Sequence, residues 1–120
     1  MKLSDRRLAH RFRLNIPLYI RPWKSEGPEQ KVESVNVSER GVYFETETPP
    51  REGAMLRVRL EMPTEITGRP PDEWRCAGKV IRIHPPSSPG ALRGVSVRFD
   101  YYEVSQSVTA FSDSDFLQRV

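Results

Sequence analysis

The chain has 120 residues, 37% of them hydrophobic and 29% charged, with eleven prolines and a formal net charge of +3. That length suits one soluble domain that needs neither disulfides nor metal staples to fold. The longest apolar runs are two or three residues, too short for a membrane-spanning helix. No apolar stretch follows the basic N-terminus, so no secretory signal is expected. A lone cysteine, Cys76, excludes an internal disulfide, and a reducing cytoplasm is the expected setting.

The net charge conceals an asymmetry. Residues 1–24 carry seven Lys/Arg against the single acid Asp5, whereas residues 25–120 carry twelve Lys/Arg against fifteen acids. A cationic cluster at one end can be a solvated tail or can focus a field on a compact anion. A general nucleic-acid binder more often spreads its charge along a face of the fold. We therefore divide the chain into a flexible basic segment (1–11), a body (12–100) and a C-terminal segment (101–120).

Within the body, alternation of apolar and polar residues predicts strands. Leu14, Ile16, Leu18 and Ile20 mark the first, with Pro17 inside it, which suggests an edge position or a bulge. Val35 and Val37 mark the second, Val42 and Phe44 the third. Leu56, Val58, Leu60 and Met62 alternate cleanly in the fourth. Residues 74–84 read as a long fifth strand whose apolar parity switches at Val80–Ile81, the sign of a bulge. Val95, Val97 and Phe99 close a sixth, with Gly94 where it can bend. Prolines and glycines fall mostly between these runs, with loops at Pro63–Pro71 and Pro85–Gly90. Six short strands with such punctuation predict an all-β fold, an antiparallel barrel or sandwich. Val104, Val108 and Phe111 have helical spacing, so 101–120 is expected to form a short C-terminal helix.

Catalytic signatures are largely missing. No phosphate-binding glycine loop, nucleophile elbow or dinucleotide fingerprint occurs. His10, His84 and Cys76 lack metal-ligand spacing, and Cys76 has no evident base to activate it.

Two motifs remain. Arg6-Arg7-Leu8-Ala9-His10-Arg11 supplies planar guanidinium forks that can bond guanine O6 and N7 together, grip a phosphate or stack on a base. Asn36-Val37-Ser38-Glu39-Arg40-Gly41 reads either as a well-made β-turn, with Gly41 free to take positive φ, or as short polar groups presented to a ligand edge. Trp23 and Trp74 can stack on a base or anchor strand ends, and Arg82 can face a ligand or solvent.

Taken together, R-x-x-x-R (Arg7, Arg11), the strand proline Pro17, N-x-S-x-x-G (Asn36, Ser38, Gly41) and Gly94-Val95-Ser96-Val97-Arg98-Phe99 resemble the PilZ domain family, bacterial receptors for cyclic di-GMP. The resemblance implies a six-stranded antiparallel β-barrel with a C-terminal helix, no catalysis and no cofactor. It also implies a ligand, cyclic di-GMP, held by Arg6, Arg7, Arg11, Asn36, Ser38 and Gly41. Arg6, directly before R-x-x-x-R, implies a stacked pair of ligands rather than one. The implied output is a conformational change read by a partner protein in motility, exopolysaccharide or biofilm control. Asn36 stands where Asp is commoner, and Arg40 where many members have Gly. The alternatives are a PilZ-fold interaction module that binds no nucleotide and a small-barrel binder of single-stranded nucleic acid. The last wants basic residues interleaved with aromatics, and the net negative count over 25–120 weighs against it.

Overall fold

The computed structural model describes residues 11–105, apart from the side chain of Ser105. Six strands account for most of them: β1 (Pro17–Pro22), β2 (Gln30–Ser38), β3 (Gly41–Thr46), β4 (Met55–Met62), β5 (Asp72–His84) and β6 (Arg93–Ser105). All neighbours are antiparallel, and they close into a barrel in the order β1-β2-β3-β6-β5-β4, with β4 returning to β1.

The alternation that predicts the strands also builds the core. Leu18 and Ile20 of β1, Leu56, Val58, Leu60 and Met62 of β4, and Val95 and Val97 of β6 all point inward and are buried, around a fully buried Phe44. Their intervening neighbours face out. In so small a barrel the side chains fill the lumen, so any ligand must bind outside it or at a rim.

Three expectations need correction. Pro17 marks neither an edge nor a bulge: β1 pairs on both sides, and Pro17 is its first residue, where a missing N–H removes no bond to β4. The segment 63–71 is not all loop, because Thr64–Thr67 form a short helical turn, α1. The C-terminal helix is not found where residues are described: β6 continues through Tyr102 and Val104 to Ser105. Val108 and Phe111 lie outside the described residues. The bulge anticipated at Val80–Ile81 is present, as the register of β5 on β6 shifts between Val80 and Arg82 and Ile81 is left exposed.

The chain ahead of β1 is pinned to β2. Phe12 and Val37 form an antiparallel bridge, each N–H donating to the other's carbonyl at 2.9 Å. The buried Ser34 hydroxyl donates to the Leu14 carbonyl and accepts from the Ile16 N–H at 3.0 Å, while the Ser34 N–H donates to Ile16 O at 2.9 Å. Asn15 Nδ2 adds a bond to Ser34 O at 2.7 Å. Replacing Ser34 by Ala strands two backbone groups in a half-buried setting. A loss of about 1–3 kcal/mol in urea unfolding is expected, with faster amide exchange at Phe12 and Ile16.

Candidate ligand-binding site

The Phe12–Val37 bridge brings the two motifs together. Arg11 and Arg13 flank Phe12 and are both exposed. The antiparallel register sets Arg11 level with Ser38 and Arg13 level with Asn36. Arg6 and Arg7 lie outside the described residues, so only the second arginine of R-x-x-x-R is placed.

Strands β2 and β3 join through the two-residue turn Glu39-Arg40, closed by the pair Ser38 and Gly41. Ser38 is buried and serves this turn: its Oγ accepts from the Arg40 N–H at 3.0 Å and donates a long bond to Gly41 O at 3.4 Å. The β-turn reading of this motif therefore holds, and it leaves the hydroxyl only partial capacity for a ligand. Arg40 keeps an ordinary φ, since Lys24 is the only described non-glycine residue with positive φ. An arginine is therefore tolerated at the turn without strain. Its carbonyl accepts from the Phe99 N–H at 2.7 Å, tying the hairpin to β6.

Gly41 is needed for space rather than for φ. It is paired with Arg98, and a Cβ there would collide with the backbone carbonyl of Val97. The close approach at Gly41 is made by the β6 backbone.

Asn36 faces outward and its amide makes no hydrogen bond among the described residues. Across the sheet it heads a row: Asn36 opposite Tyr43, Tyr43 opposite Ser96, Ser96 opposite Arg82. Arg82, ambiguous from sequence, thus lies on the same outer face as Asn36. Tyr43 lies over Gly94, where any Cβ would strike its ring. His84 meets that ring edge-on, with centroids 5.4 Å apart, and its Nε2 bonds Ser96 Oγ at 3.0 Å. So Gly94 serves as a floor for an aromatic ring and not as a bend. Sequence reading missed Tyr43, Arg13 and Ser34. Only the alternation of Arg11, Phe12 and Arg13 hinted at the second.

Arginines and one free amide on a closed, rigid wall can hold an anionic, planar ligand through forks and edge hydrogen bonds. Of the other expectations, Trp74 is buried and stacks on Tyr102 at 4.1 Å, an anchor at the barrel end. Trp23 sits after β1 under the Arg57 guanidinium, 5.3 Å from the ring centre, away from the row headed by Asn36. Burial pushes the Cys76 thiol up to about 12, so it stays protonated and is a poor nucleophile at neutral pH. No group of three potential metal ligands gathers among the described residues, and no described helix is long and apolar enough to cross a membrane.

Known proteins similar to this chain fall in one family. The chain is similar in fold to the Bacillus subtilis inhibitor of motility MotI/DgrA, with a TM-score of 0.61 at 18% identity over 83% of this chain and 44% of that one. It thus spans less than half the length of that protein. The PilZ domain of CeSA from a cellulose-synthesizing bacterium matches at 16% identity over 75% of this chain and 80% of that one, with a TM-score of 0.49. No curated protein sequence matches the chain. The family model of the PilZ domain matches residues 5–111, nearly the whole chain, and the protein belongs to that family.

Proposed function

We propose that this chain is a cyclic di-GMP receptor that passes second-messenger level to a partner protein. PilZ domains generally bind this ligand and act as binding modules. The observation that carries the reading for this chain is the Phe12–Val37 bridge, which sets the end of R-x-x-x-R beside N-x-S-x-x-G although 25 residues separate Arg11 from Asn36. Arg7 and Arg11 then supply forks for guanine and phosphate, and Asn36 offers an unengaged amide to a guanine edge. Arg6 supplies a third guanidinium, which favours a stacked ligand pair whose four phosphates need another cation. Motility, exopolysaccharide and biofilm control are the output classes, and a cytoplasmic setting goes with them.

Calorimetry tests the reading directly. Cyclic di-GMP should bind with two ligands per chain at saturation, moving toward one in Arg6→Leu. Cyclic di-AMP should bind far more weakly, because adenine lacks the O6 acceptor and each lost fork contact costs about 1–3 kcal/mol. No heat at high micromolar cyclic di-GMP would leave a nucleotide-free interaction module in its place.

The site variants separate binding from folding. Arg11 is exposed, so Arg11→Ala and Arg7→Ala should abolish or severely weaken binding, and Arg11→Ala should leave the melting temperature unchanged. Ser38→Ala should do both lesser damages: it loses the bond from the Arg40 N–H, about 0.5–1.5 kcal/mol of stability, and weakens binding less than either arginine variant. A large drop in melting temperature for ligand-free Arg11→Ala would show a structural role instead.

A further inference from the structure

We infer that the outer wall formed by β1, β4, β5 and β6 is a docking surface for an acidic segment of a partner protein. Residues directly opposite on adjacent antiparallel strands share a face, and like charges so placed destabilise a sheet. This wall has three such pairs: Arg21 opposite Arg57, Arg59 opposite Arg75, and Lys79 opposite Arg98. The middle pair is compensated within the chain. Glu29 holds Arg59 at 2.8 Å, and the Arg59 guanidinium keeps its carboxyl below the usual carboxylate range. Glu73 holds Arg75 at 2.9 Å. In the outer pairs only Arg98 has a carboxylate partner, Asp100, while Arg21 donates to the Gly27 carbonyl at 3.3 Å. Arg21, Arg57 and Lys79 form no ion pair among the described residues.

Glu29, bound to Arg59, also attracts Arg21 and Arg57 but is shared among three guanidinium groups. The cations without an ion pair of their own are not spread at random. Arg21 and Arg57 line one cavity of about 420 Å³, together with Lys24 and a single carboxylate, Glu26. Arg57 also lines a second cavity of about 200 Å³, between Trp23 and Tyr101. Trp23 and Tyr101 are 37% and 57% exposed, and they line the same cavity, so together they offer apolar surface at one spot on the wall. Arg, Trp and Tyr around small pockets are the residues that dominate the energetics of protein interfaces. At one corner Arg98 lies opposite Gly41, so the wall abuts the hairpin of the candidate ligand site.

The chemistry favours a protein over a nucleic acid. Two of the wall's rings already carry a guanidinium over one face, Arg57 over Trp23 at 5.3 Å and Arg59 over Tyr19 at 4.4 Å. They are therefore not open platforms for successive bases. The wall also keeps acids among its cations, with Glu103 opposite Arg75 and the next row pairing Glu61 with Glu73. A protein surface can meet such mixed signs one by one, whereas a polyphosphate repels every acid it passes. Charge complementarity then selects an Asp/Glu-bearing segment with apolar residues for the slot at Trp23 and Tyr101.

The inference does not rest on the cyclic di-GMP reading, and one variant separates the two. Arg57→Glu places opposite charges face to face with Arg21. The variant should melt at the same temperature or higher, keep the wild-type response to cyclic di-GMP and lose docking. The probe is a fluorescein-labelled peptide of repeating Glu-Leu-Asp-Phe units, with short oligothymidylate as the second arm. Peptide should shift the NMR signals of the Trp23 indole, Arg57, Ala77 and Tyr101 in the unaltered chain. Its affinity should fall about tenfold or more in Arg57→Glu, at least 1.4 kcal/mol. Lys79→Glu, which faces Arg98, carries the same test should Arg57→Glu fail to fold. Absence of peptide binding, unchanged affinity in the variants, or oligothymidylate on this wall without peptide would each overturn the inference.

Discussion

The Ser34 hydroxyl is the point on which the candidate site turns. It is fully buried at a register shift in β2, and it bonds the chain ahead of β1 at both Leu14 and Ile16. Without it, residues 12–16 would keep the Phe12 bridge, the Ser34 N–H bond to Ile16 O and the Asn15 bond to Ser34 O, but Leu14 O and Ile16 N–H would lose the partner that seats them along β2. With it, a segment outside the regular ladder becomes a seventh, irregular partner of the sheet. The arginine motif is thereby anchored at its C-terminal end, and its remaining cations are tethered to the hairpin that carries Asn36. A tether of that kind raises the local concentration of cationic forks at the candidate site.

Closure of a barrel from six short strands sets the second constraint. Strands must pass close to one another where the sheet curls, and two glycines make this possible by omitting a side chain. Gly41 admits the β6 backbone at Val97, and Gly78 leaves room for the Val97 and Val58 side chains of the two strands that flank it. Bulges supply the rest of the curvature, at Ser34/Asn36 in β2 and at Ala77/Gly78 and Val80/Arg82 where β5 meets β6. Each bulge also changes which side chains face out, so the same devices that close the barrel decide what its surface presents.

That double role explains what could be read from sequence. Where alternation is unbroken, as from Leu56 to Met62, strand and core were both legible. The parity switch at Val80–Ile81 was legible because it falls inside a long apolar run. In β6 the extra residue, Asp100, sits between Phe99 and Tyr101, so the parity changes: Val95, Val97 and Phe99 face the core before it, and Tyr102, half-exposed opposite Cys76, and Val104 share that face after it. The strand signal stops there, so the continuation of β6 through Val104 is not read from the spacing. The motifs of the site were legible because short, local groups carry them. Tyr43, Arg13 and Ser34 were not, since their placement follows from pairings between distant segments. Summed charge failed for the same reason: a net negative count over 25–120 conceals three like-charge cationic pairs on one wall.

The candidate ligand face and the cationic wall share β5 and β6, and the bulge at Ile81 separates them. Before it, the outward residues of β5 are Arg75, Ala77 and Lys79, which belong to the cationic wall. An unbroken strand would send Ile81 outward and Arg82 into the lumen, because side chains alternate. The extra residue removes Ile81 from the ladder and turns Arg82 outward, opposite Ser96, into the row headed by Asn36. Ile83 then returns to the core opposite Val95. One inserted residue therefore moves a cation out of the hydrophobic interior and onto the ligand side. It does so at the cost of a half-exposed isoleucine, 48% accessible. Bulges are over-represented beside binding sites because they re-aim side chains in this way. Here the re-aimed residue is the fourth member of a row that also contains Asn36, the one side-chain amide without a partner among the described residues.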